Sequence, residues 1–199
     1  MNIQDQYGHL VDIANIEKPE QDLAQIYIQE NDTVFELGAR YGSVSCIINS
    51  KLKNKRNQVV VEPDERVWDA LERNKRANNC EFNIIKGFVS TKKLGLTNLD
   101  CYYGGYGATF IEKNDSTIPS YTMEEIKNKY NLTFNVLIAD CEGFLEVFFD
   151  ENPNFYDTLR LVIFEADYTE KCNYNKIRNT LREKKFIEIY HGHQNLWMK

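Results

Sequence analysis

VFELGARYGSVS, residues 34–45, is a short apolar run that carries one acid and leads into two glycines four positions apart. An apolar run of this length is typical of a buried strand, and Gly38 lets the chain turn sharply where the run ends. Apolar residues then recur with helical spacing at Val44, Ile47, Ile48 and Leu52. The stretch therefore predicts a strand, a tight turn and a helix, which is the repeating unit of α/β proteins.

Three later stretches share this design, since each is an apolar run that ends in Asp or Glu. They are QVVVEP at 58–63, NVLIAD at 135–140 and LVIFEAD at 161–167. Continuous apolar strands belong in a parallel sheet that is covered on both faces. We therefore predict one α/β domain with a mostly parallel, doubly wound sheet and helices on both faces. Residues 81–87 should add a strand, and residues 186–199 should form a C-terminal antiparallel hairpin.

Helical patterns separate the predicted strands. Asp64 is a candidate N-cap, and Thr122 with Glu125 has the spacing of a capping box. Tyr174, Ile177 and Leu181 form the apolar stripe of a last helix. Strand and helix thus alternate along the chain.

The composition limits the class of protein and its partners. A chain of 199 residues with 42% hydrophobic content can bury one sizeable core, and its net charge of −6 disfavours nucleic-acid partners. The five cysteines are odd in number and lack C-x-x-C pairs, which favours reduced thiols over disulfides. No signal-peptide pattern and no membrane-length apolar run occurs, so we expect a cytoplasmic protein without a membrane partner.

The predicted strands end in acids, which in an open parallel sheet come together at the edge where ligands bind. These acids are Glu36, Glu62, Asp140, Glu165 and Asp167. Glu62 ends the second strand, where a carboxylate can accept both hydroxyls of a ribose. The turn G-A-R-Y-G lacks the middle glycine of dinucleotide-binding loops, and neighbouring acids repel phosphates and attract cations.

This pattern favours S-adenosylmethionine, a nucleoside that carries a sulfonium and an amino group but no phosphate. A nicotinamide oxidoreductase is disfavoured because the phosphate-binding features are missing. The alternative is that E-x-G-x-x-x-G is only a structural strand, turn and helix.

Several blocks of the sequence, in this order and spacing, resemble the FkbM-type S-adenosylmethionine-dependent methyltransferases. They are GARYGSVSCIIN, VVVEPDERVWDALERNKRANN, IIKGFVS and the stretch from IPSYTM to LVIFEAD, within roughly residues 31–167. The resemblance implies the Rossmann-like class I methyltransferase fold, a seven-stranded sheet whose antiparallel strand comes from the terminal hairpin. It also implies a methyltransferase domain at 31–199, with residues 1–30 as an N-terminal helical extension packed on it.

The resemblance implies O-methylation, often of a sugar or another small-molecule hydroxyl, and it implies roles for single residues. The methionine part of the cofactor would be held by the first turn, which includes Glu36, Gly38, Ala39, Tyr41 and Gly42. Glu62, followed by Pro63, would hold the ribose, and Phe88 and Val89 would surround the adenine. Asp140, Glu142 and Gly143 would form the catalytic side. The chain departs from the family pattern at Glu36, commonly Asp, at Arg40, commonly Asn, and at Ile138, commonly Lys.

Methyl transfer to a hydroxyl needs a general base or a metal, because a hydroxyl is a poor nucleophile. Asp140 and Glu142 can place one carboxylate at the cofactor amine or the acceptor and leave the other as base. Asp140 with Glu165 or Asp167 can alternatively bind Mg²⁺ or Mn²⁺. Structural roles stay open, since DCEG can be a strand end and a turn, while Glu165 and Asp167 can cap a helix.

The segment CYYGGYGATF, residues 101–110, lies in the long region 91–120 that lacks clear periodicity. Aromatic rings stack on sugars and glycines let a loop fold over a site, which predicts an acceptor lid with Tyr102, Tyr103 and Tyr106. A β-hairpin whose tyrosines pack on the core is the alternative. His191 is a candidate acceptor contact or base, although HGHQN is also typical of a hairpin turn.

The sequence thus predicts an S-adenosylmethionine-dependent O-methyltransferase for a hydroxyl of a small-molecule or glycan acceptor, with a sugar as the first choice. A divalent-metal-dependent O-methyltransferase is one alternative. A non-catalytic S-adenosylmethionine-binding scaffold is another, because Ile138 replaces the usual Lys.

Overall fold

The computed structural model of the protein describes residues 1–100 and 105–199. The strands there are β1 (Val34–Leu37), β2 (Gln58–Glu62), β3 (Asn83–Lys86), β4 (Phe88–Val89), β5 (Leu94–Thr97), β6 (Thr109–Glu112), β7 (Ser120–Tyr121), β8 (Val136–Ala139), β9 (Leu161–Glu165), β10 (Ile187–His191) and β11 (Gln194–Met198). The helices are α1 (Lys18–Tyr27), α2 (Ser43–Lys51), α3 (Trp68–Ala77), α4 (Met123–Tyr130), α5 (Leu145–Glu151) and α6 (Tyr174–Glu183).

The main sheet has seven strands in the order β10-β11-β9-β8-β1-β2-β3. Strands β3, β2, β1, β8 and β9 pair in parallel, whereas β11 runs antiparallel to both β9 and β10. Every residue of β1, β2 and β8 is buried, as expected for strands with helices on both faces. The predicted α/β fold is therefore confirmed, including the strand at 81–87 and the antiparallel C-terminal hairpin.

The alternation of side chains along β1 divides the core into two layers. Phe35 and Leu37 lie on the face that α4, α5 and α6 cover. Val34 lies on the opposite face, where α1 and α2 pack, and α3 covers the neighbouring part of that face over Val60. The central strands of the sheet are thus covered on both faces.

The predicted helix signals are confirmed. The Thr122 hydroxyl accepts a hydrogen bond from the Glu125 N–H, and the Glu125 carboxylate accepts one from the Thr122 N–H, which forms the capping box of α4. Asp64 caps the 3₁₀ helix Glu65–Val67 that leads into α3. The apolar stripe predicted for the last helix is buried in α6.

Two regions differ from simple expectation. Residues 1–17 consist of turns with a bridge between Gln4 and Leu10, so only Lys18–Tyr27 of the N-terminal segment is helical. Within 91–120, β5 and β6 pair antiparallel, and β7 pairs in parallel with β4. Strands of two to four residues are too short for alternation to be visible in the sequence.

Two further predictions concern thiols and membranes. The cysteines in the described ranges, Cys46, Cys80, Cys141 and Cys172, are free. No helix within residues 1–100 or 105–199 combines the length and apolarity that crossing a bilayer requires.

Candidate cofactor and active site

A pocket with an empty volume of about 700 Å³, part of it open to solvent, lies at the carboxyl ends of β1, β2 and β8. The position is where open α/β sheets bind ligands. Six of the residues predicted to contact the cofactor line it, namely Gly38, Glu62, Pro63, Phe88, Val89 and Asp140. These six residues, predicted from different parts of the sequence, therefore lie around one pocket.

Gly38 and Asp140 bring the turns after β1 and β8 into direct contact. Gly38 has φ of +86°, and a Cβ atom on this residue would lie 1.6 Å from the Asp140 carbonyl oxygen. The Asp140 N–H donates to the Leu37 carbonyl at 3.0 Å, which extends the pairing of the two strands by one residue. The floor of the pocket is thus formed by two backbones that leave no room for a side chain at position 38.

Glu62 is fixed at the pocket by backbone donors. Its Oε2 accepts from the Arg40 N–H at 2.6 Å, and its Oε1 accepts from the Asp64 N–H at 2.8 Å. Burial raises the pKa of Glu62 to about 7, although these two N–H groups and the Arg40 guanidinium favour the charged form. Each oxygen keeps acceptor capacity for a ligand hydroxyl, so the carboxylate is oriented before any ligand arrives.

An arginine network that the sequence reading missed lies next to Glu62 and pairs with Asp64. Arg40 is buried, and its Nη1 lies 3.2 Å from Asp64 Oδ2. Its guanidinium also lies over the rings of Tyr41 and Tyr106, 4.9 and 4.6 Å from their centroids. Arg66 binds Asp64 with two nitrogens, at 2.9 and 2.7 Å. Arg40 in the turn after β1 is thereby held to Asp64, which follows β2.

Glu36 does not line the pocket, although it was expected to contact the cofactor, and that contact stays a prediction. Its side chain lies on the α2 face of the sheet, where Oε1 accepts from Ser45 Oγ at 2.7 Å and Oε2 accepts from Gln58 Nε2 at 3.0 Å. Ala39, Tyr41 and Gly42 also lie outside the pocket lining. A Cβ on Gly42 would meet the Leu71 side chain at 2.8 Å, so this glycine admits a neighbouring helix rather than a ligand. These four residues pack inside the fold around the turn after β1 and outside the pocket.

Another part of the pocket lining is apolar and mainly aromatic. Phe88 and Val89 contribute as predicted, and Leu96, Phe110 and Phe144 join them. Phe110 and Phe144 meet edge to face, with centroids 5.2 Å apart. An apolar, aromatic lining in the same pocket as Glu62 suits a heterocyclic base beside a ribose.

Asp140 and Glu142 lie in the pocket wall. Glu142 has φ of +51° and shares a hydrogen bond with Asp167. Burial, followed by the hydrogen bond to Asp167, raises the pKa of Glu142 to about 11, and burial with the charge of Glu165 raises the pKa of Asp140. Burial and the mutual repulsion of these acids therefore disfavour their charged forms.

The predicted metal ligands are divided between two groups. One carboxylate oxygen from each of Asp140, Glu142 and Asp167 lies within 4.8 Å of the others, and Asp140 forms a second such group with Glu165 and Glu20. Among the described residues, Asp140, Glu165 and Asp167 do not meet as one cluster, since Glu165 belongs to one of these groups and Asp167 to the other.

Glu17 and Glu20, at the start of α1, were missed by the sequence reading. Glu17 lines the pocket and accepts a hydrogen bond from the Ser43 hydroxyl, and Glu20 is buried beside Asp140. Acids in a first helical turn are common because they stabilise the helix. The stretch NIEKPEQD therefore did not indicate that Glu17 and Glu20 belong to the site.

The acceptor predictions have mixed outcomes. Tyr106 lines the pocket, whereas Tyr102 and Tyr103 lie outside the described residues. His191 is exposed on β10, the edge strand of the sheet, where it binds Glu188, and it does not line the pocket. His191 thus lies apart from the pocket lining, and its contact with an acceptor stays a prediction. His193, its neighbour in the turn, instead reaches Glu165, with Nε2 2.5 Å from Oε1.

Similarity to known proteins lies in the fold. No protein-family model and no curated protein matches the sequence. A precorrin-6y C5,15-methyltransferase from Geobacter metallireducens GS-15 superposes with a TM-score of 0.55 at 10% identity, over 92% of this chain and 85% of that one. A methyltransferase from Geobacter sulfurreducens gives 0.53 at 14%, over 92% and 76%. An O-methyltransferase from Bacillus cereus in complex with SAH gives 0.50 at 15%, over 92% and 80%.

At these identities the similarity defines the fold, which is the Rossmann-like fold of class I methyltransferases. Neighbours with this fold include O-methyltransferases and a precorrin methyltransferase. The narrower FkbM-type resemblance stays a prediction from the sequence blocks.

Proposed function

We propose that the protein is an S-adenosylmethionine-dependent O-methyltransferase that acts on a hydroxyl of a small-molecule or glycan acceptor. The observation that carries this proposal is the pocket wall, where Glu62, Asp140 and Glu142 place carboxylates on the ends of two strands beside an aromatic face. Such a wall repels phosphates, and it suits a cationic nucleoside. The fold similarity supports the same conclusion.

The residues present fit this cofactor. The Glu62 carboxylate is held by two backbone N–H groups and keeps lone pairs for the two ribose hydroxyls. Pro63, Phe88 and Val89 would contact the base, and the contact of Gly38 with Asp140 keeps the floor open toward the methionine part. When bound, S-adenosylmethionine supplies a methyl group on a sulfonium.

Asp140 and Glu142 are the residues that we assign to proton transfer. Both line the pocket, and Asp140 would take the proton from an acceptor hydroxyl, while Glu142 shares a hydrogen bond with Asp167. Burial raises the pKa of Asp140, which makes its ionised form a better proton acceptor than an ordinary Asp. Tyr106 would contact the acceptor at the mouth of the pocket.

Ile138 bears on the scaffold alternative. Its side chain is buried in the apolar layer beneath α1 and α2 and does not line the pocket. The replacement of the family's usual Lys therefore removes no group from the wall that would carry the chemistry. We favour an enzyme over a non-catalytic binder for this reason.

Calorimetry tests the proposal. Purified protein should bind S-adenosylmethionine and S-adenosylhomocysteine with micromolar affinity and should not bind NADH. A panel of neutral sugars and other hydroxyl compounds should then include one that yields S-adenosylhomocysteine. Binding of NADH alone, or of none of the three, would contradict the cofactor assignment, and cofactor binding without product from any acceptor would favour the scaffold.

A divalent-metal-dependent O-methyltransferase is the second candidate, and it is favoured by the two carboxylate groups that meet at Asp140. Mg²⁺ or Mn²⁺ bound there would lower the pKa of an acceptor hydroxyl. Loss of turnover in a chelator and its recovery with added Mg²⁺ or Mn²⁺ would select this candidate.

A further inference from the structure

Glu20 belongs to the first turn of α1, and α1 is packed so that this turn reaches the carboxyl edge of the sheet. Ala24 and Ile28 belong to the same buried apolar cluster as Ile138 of β8 and Ile163 of β9. The helix thus lies along the two strands that end at Asp140 and Glu165. Glu20, a residue of the N-terminal segment, thereby lies beside Asp140 at the floor of the pocket.

The Glu20 side chain is buried without a compensating partner. The residue is 2% exposed, and its Oε1 is inaccessible and accepts no hydrogen bond from any part of the chain that the structure describes. A buried carboxylate in this situation is costly unless a cation or a proton neutralises it. The charges that act most strongly on it come from acids, namely Asp140, Glu17, Glu165 and Glu36.

The geometry around Glu20 matches a cation site. One carboxylate oxygen from each of Glu20, Asp140 and Glu165 lies within 4.8 Å of the other two. Two oxygens that share one ion at 2.1 to 2.4 Å can be no more than about 4.2 to 4.8 Å apart. The three side chains can therefore contact the same ion after small rotations.

Glu165 is oriented by neighbours as metal-binding carboxylates commonly are. Gln194 Nε2 donates to its Oε2 at 2.8 Å, and His193 Nε2 lies 2.5 Å from its Oε1. The antiparallel pairing of β11 with β9 sets Gln194 directly opposite Glu165. The His193 carbonyl is held in turn by the Ala166 N–H at 2.7 Å.

We propose that Glu20, Asp140 and Glu165 form a binding site for a hard divalent cation, Mg²⁺ or Mn²⁺, which fastens the N-terminal helix to the carboxyl edge of the sheet. An all-oxygen set of carboxylates selects such cations over softer ones. The site shares Asp140 with the group of Glu142 and Asp167 but adds Glu20 and Glu165, and it requires no bound S-adenosylmethionine, since every proposed ligand is a side chain of this chain.

The test is a titration of the full-length protein with Mn²⁺ in the absence of cofactor, followed by calorimetry and by the loss of the free-ion electron spin resonance signal. Wild type should bind one Mn²⁺ ion with competition from Mg²⁺, and Glu20→Gln should weaken binding at least tenfold. Asp22→Asn removes the same charge from the exposed side of α1, so its affinity should equal that of wild type. Glu165→Gln should reproduce the effect of Glu20→Gln.

Thermal unfolding provides a second readout. In a chelator, Glu20→Gln should raise Tm, because it removes a buried carboxylate that lacks a partner. Mn²⁺ should raise the Tm of wild type and Asp22→Asn, but it should leave that of Glu20→Gln almost unchanged.

Three results would overturn the proposal. One is the absence of Mn²⁺ binding at millimolar concentration. Another is a loss of binding in Asp167→Asn with none in Glu20→Gln, which would place the ion with Asp140, Glu142 and Asp167. The third is a Glu20→Gln variant with weaker S-adenosylmethionine binding and unchanged Mn²⁺ affinity, which would assign Glu20 to the cofactor ammonium instead.

Discussion

The Asp140 carbonyl oxygen lies 1.6 Å from the point where residue 38 would carry a Cβ atom. Gly38 and Asp140 end adjacent strands, β1 and β8, and their backbones touch beneath the pocket. Any side chain at position 38 must push these two turns apart, since the obstacle is backbone and cannot rotate away. The shape of the site and the stability of the fold thus depend on the same contact.

Gly38→Ala should lower the free energy of unfolding by about 2 to 5 kcal/mol, from the left-handed backbone together with the steric overlap. Gly8→Ala is the matched control, because Gly8 also has a positive φ, +88°, but no atom lies within 4 Å of its Cβ position. It should cost about 1 to 2 kcal/mol. Urea unfolding of both variants measures the difference, and equal losses would show that the contact with Asp140 is unimportant.

Glu62→Ala should weaken S-adenosylmethionine binding tenfold or more, at least about 1.4 kcal/mol, because the ribose hydroxyls lose their acceptor. Glu65→Ala removes the same side chain from an exposed position three residues later, and it should bind as wild type does. Calorimetry of the three proteins makes the comparison. An unchanged affinity in Glu62→Ala would remove this residue from the cofactor site.

Cofactor affinity should rise with pH. Burial raises the pKa of Glu62 to about 7, so its carboxylate is mostly protonated at pH 6 and mostly ionised at pH 8. If the ionised form accepts the ribose hydroxyls, affinity should increase up to about tenfold over this interval. Glu62→Gln should lose that part of the pH dependence. A wild-type profile that falls with pH, or a variant profile parallel to it, would contradict this role.

Arg160→Ala should destabilise the fold by about 3 kcal/mol or more, because it leaves a buried carboxylate without its ion-pair partner. Asp32 is 2% exposed, and its Oδ1 accepts from Arg160 Nε at 2.7 Å. Arg56→Ala is the control, since Arg56 pairs with Glu81 at the surface and its loss should change stability by about 0.5 kcal/mol or less. Chemical unfolding at neutral pH measures both variants, and comparable values would show that the buried pair is unimportant.

Local patterns were sufficient to predict most of the fold. The apolar runs that end at Glu62 and Asp140 form buried parallel strands, and the Thr122–Glu125 box starts a helix as expected. These features depend on residues close together in the sequence, so spacing alone reveals them. The pocket residues at the ends of the strands could also be predicted, because parallel strands place their carboxyl ends at one edge of the sheet.

The remaining site residues depend on contacts between distant segments. Glu36 faces α2 because the alternation along β1 puts it on the face opposite Phe35, and its partner Gln58 could be identified only from strand register. Glu20 reaches Asp140 because α1 packs across β8 and β9, a placement that no local pattern encodes. His191 was expected near the acceptor because the sequence did not show that β10 lies at the edge of the sheet.

Strand β11 follows β10 along the chain yet lies between β10 and β9 in the sheet. During synthesis, β10 therefore leaves the ribosome before the strand that will join it to the rest of the fold. Until Gln194–Met198 has emerged, a nascent segment with Ile187, Ile189 and Tyr190 has no sheet neighbour to pair with. Closure of this edge thus waits for β11, and until then the unpaired strand β10 carries a risk of aggregation.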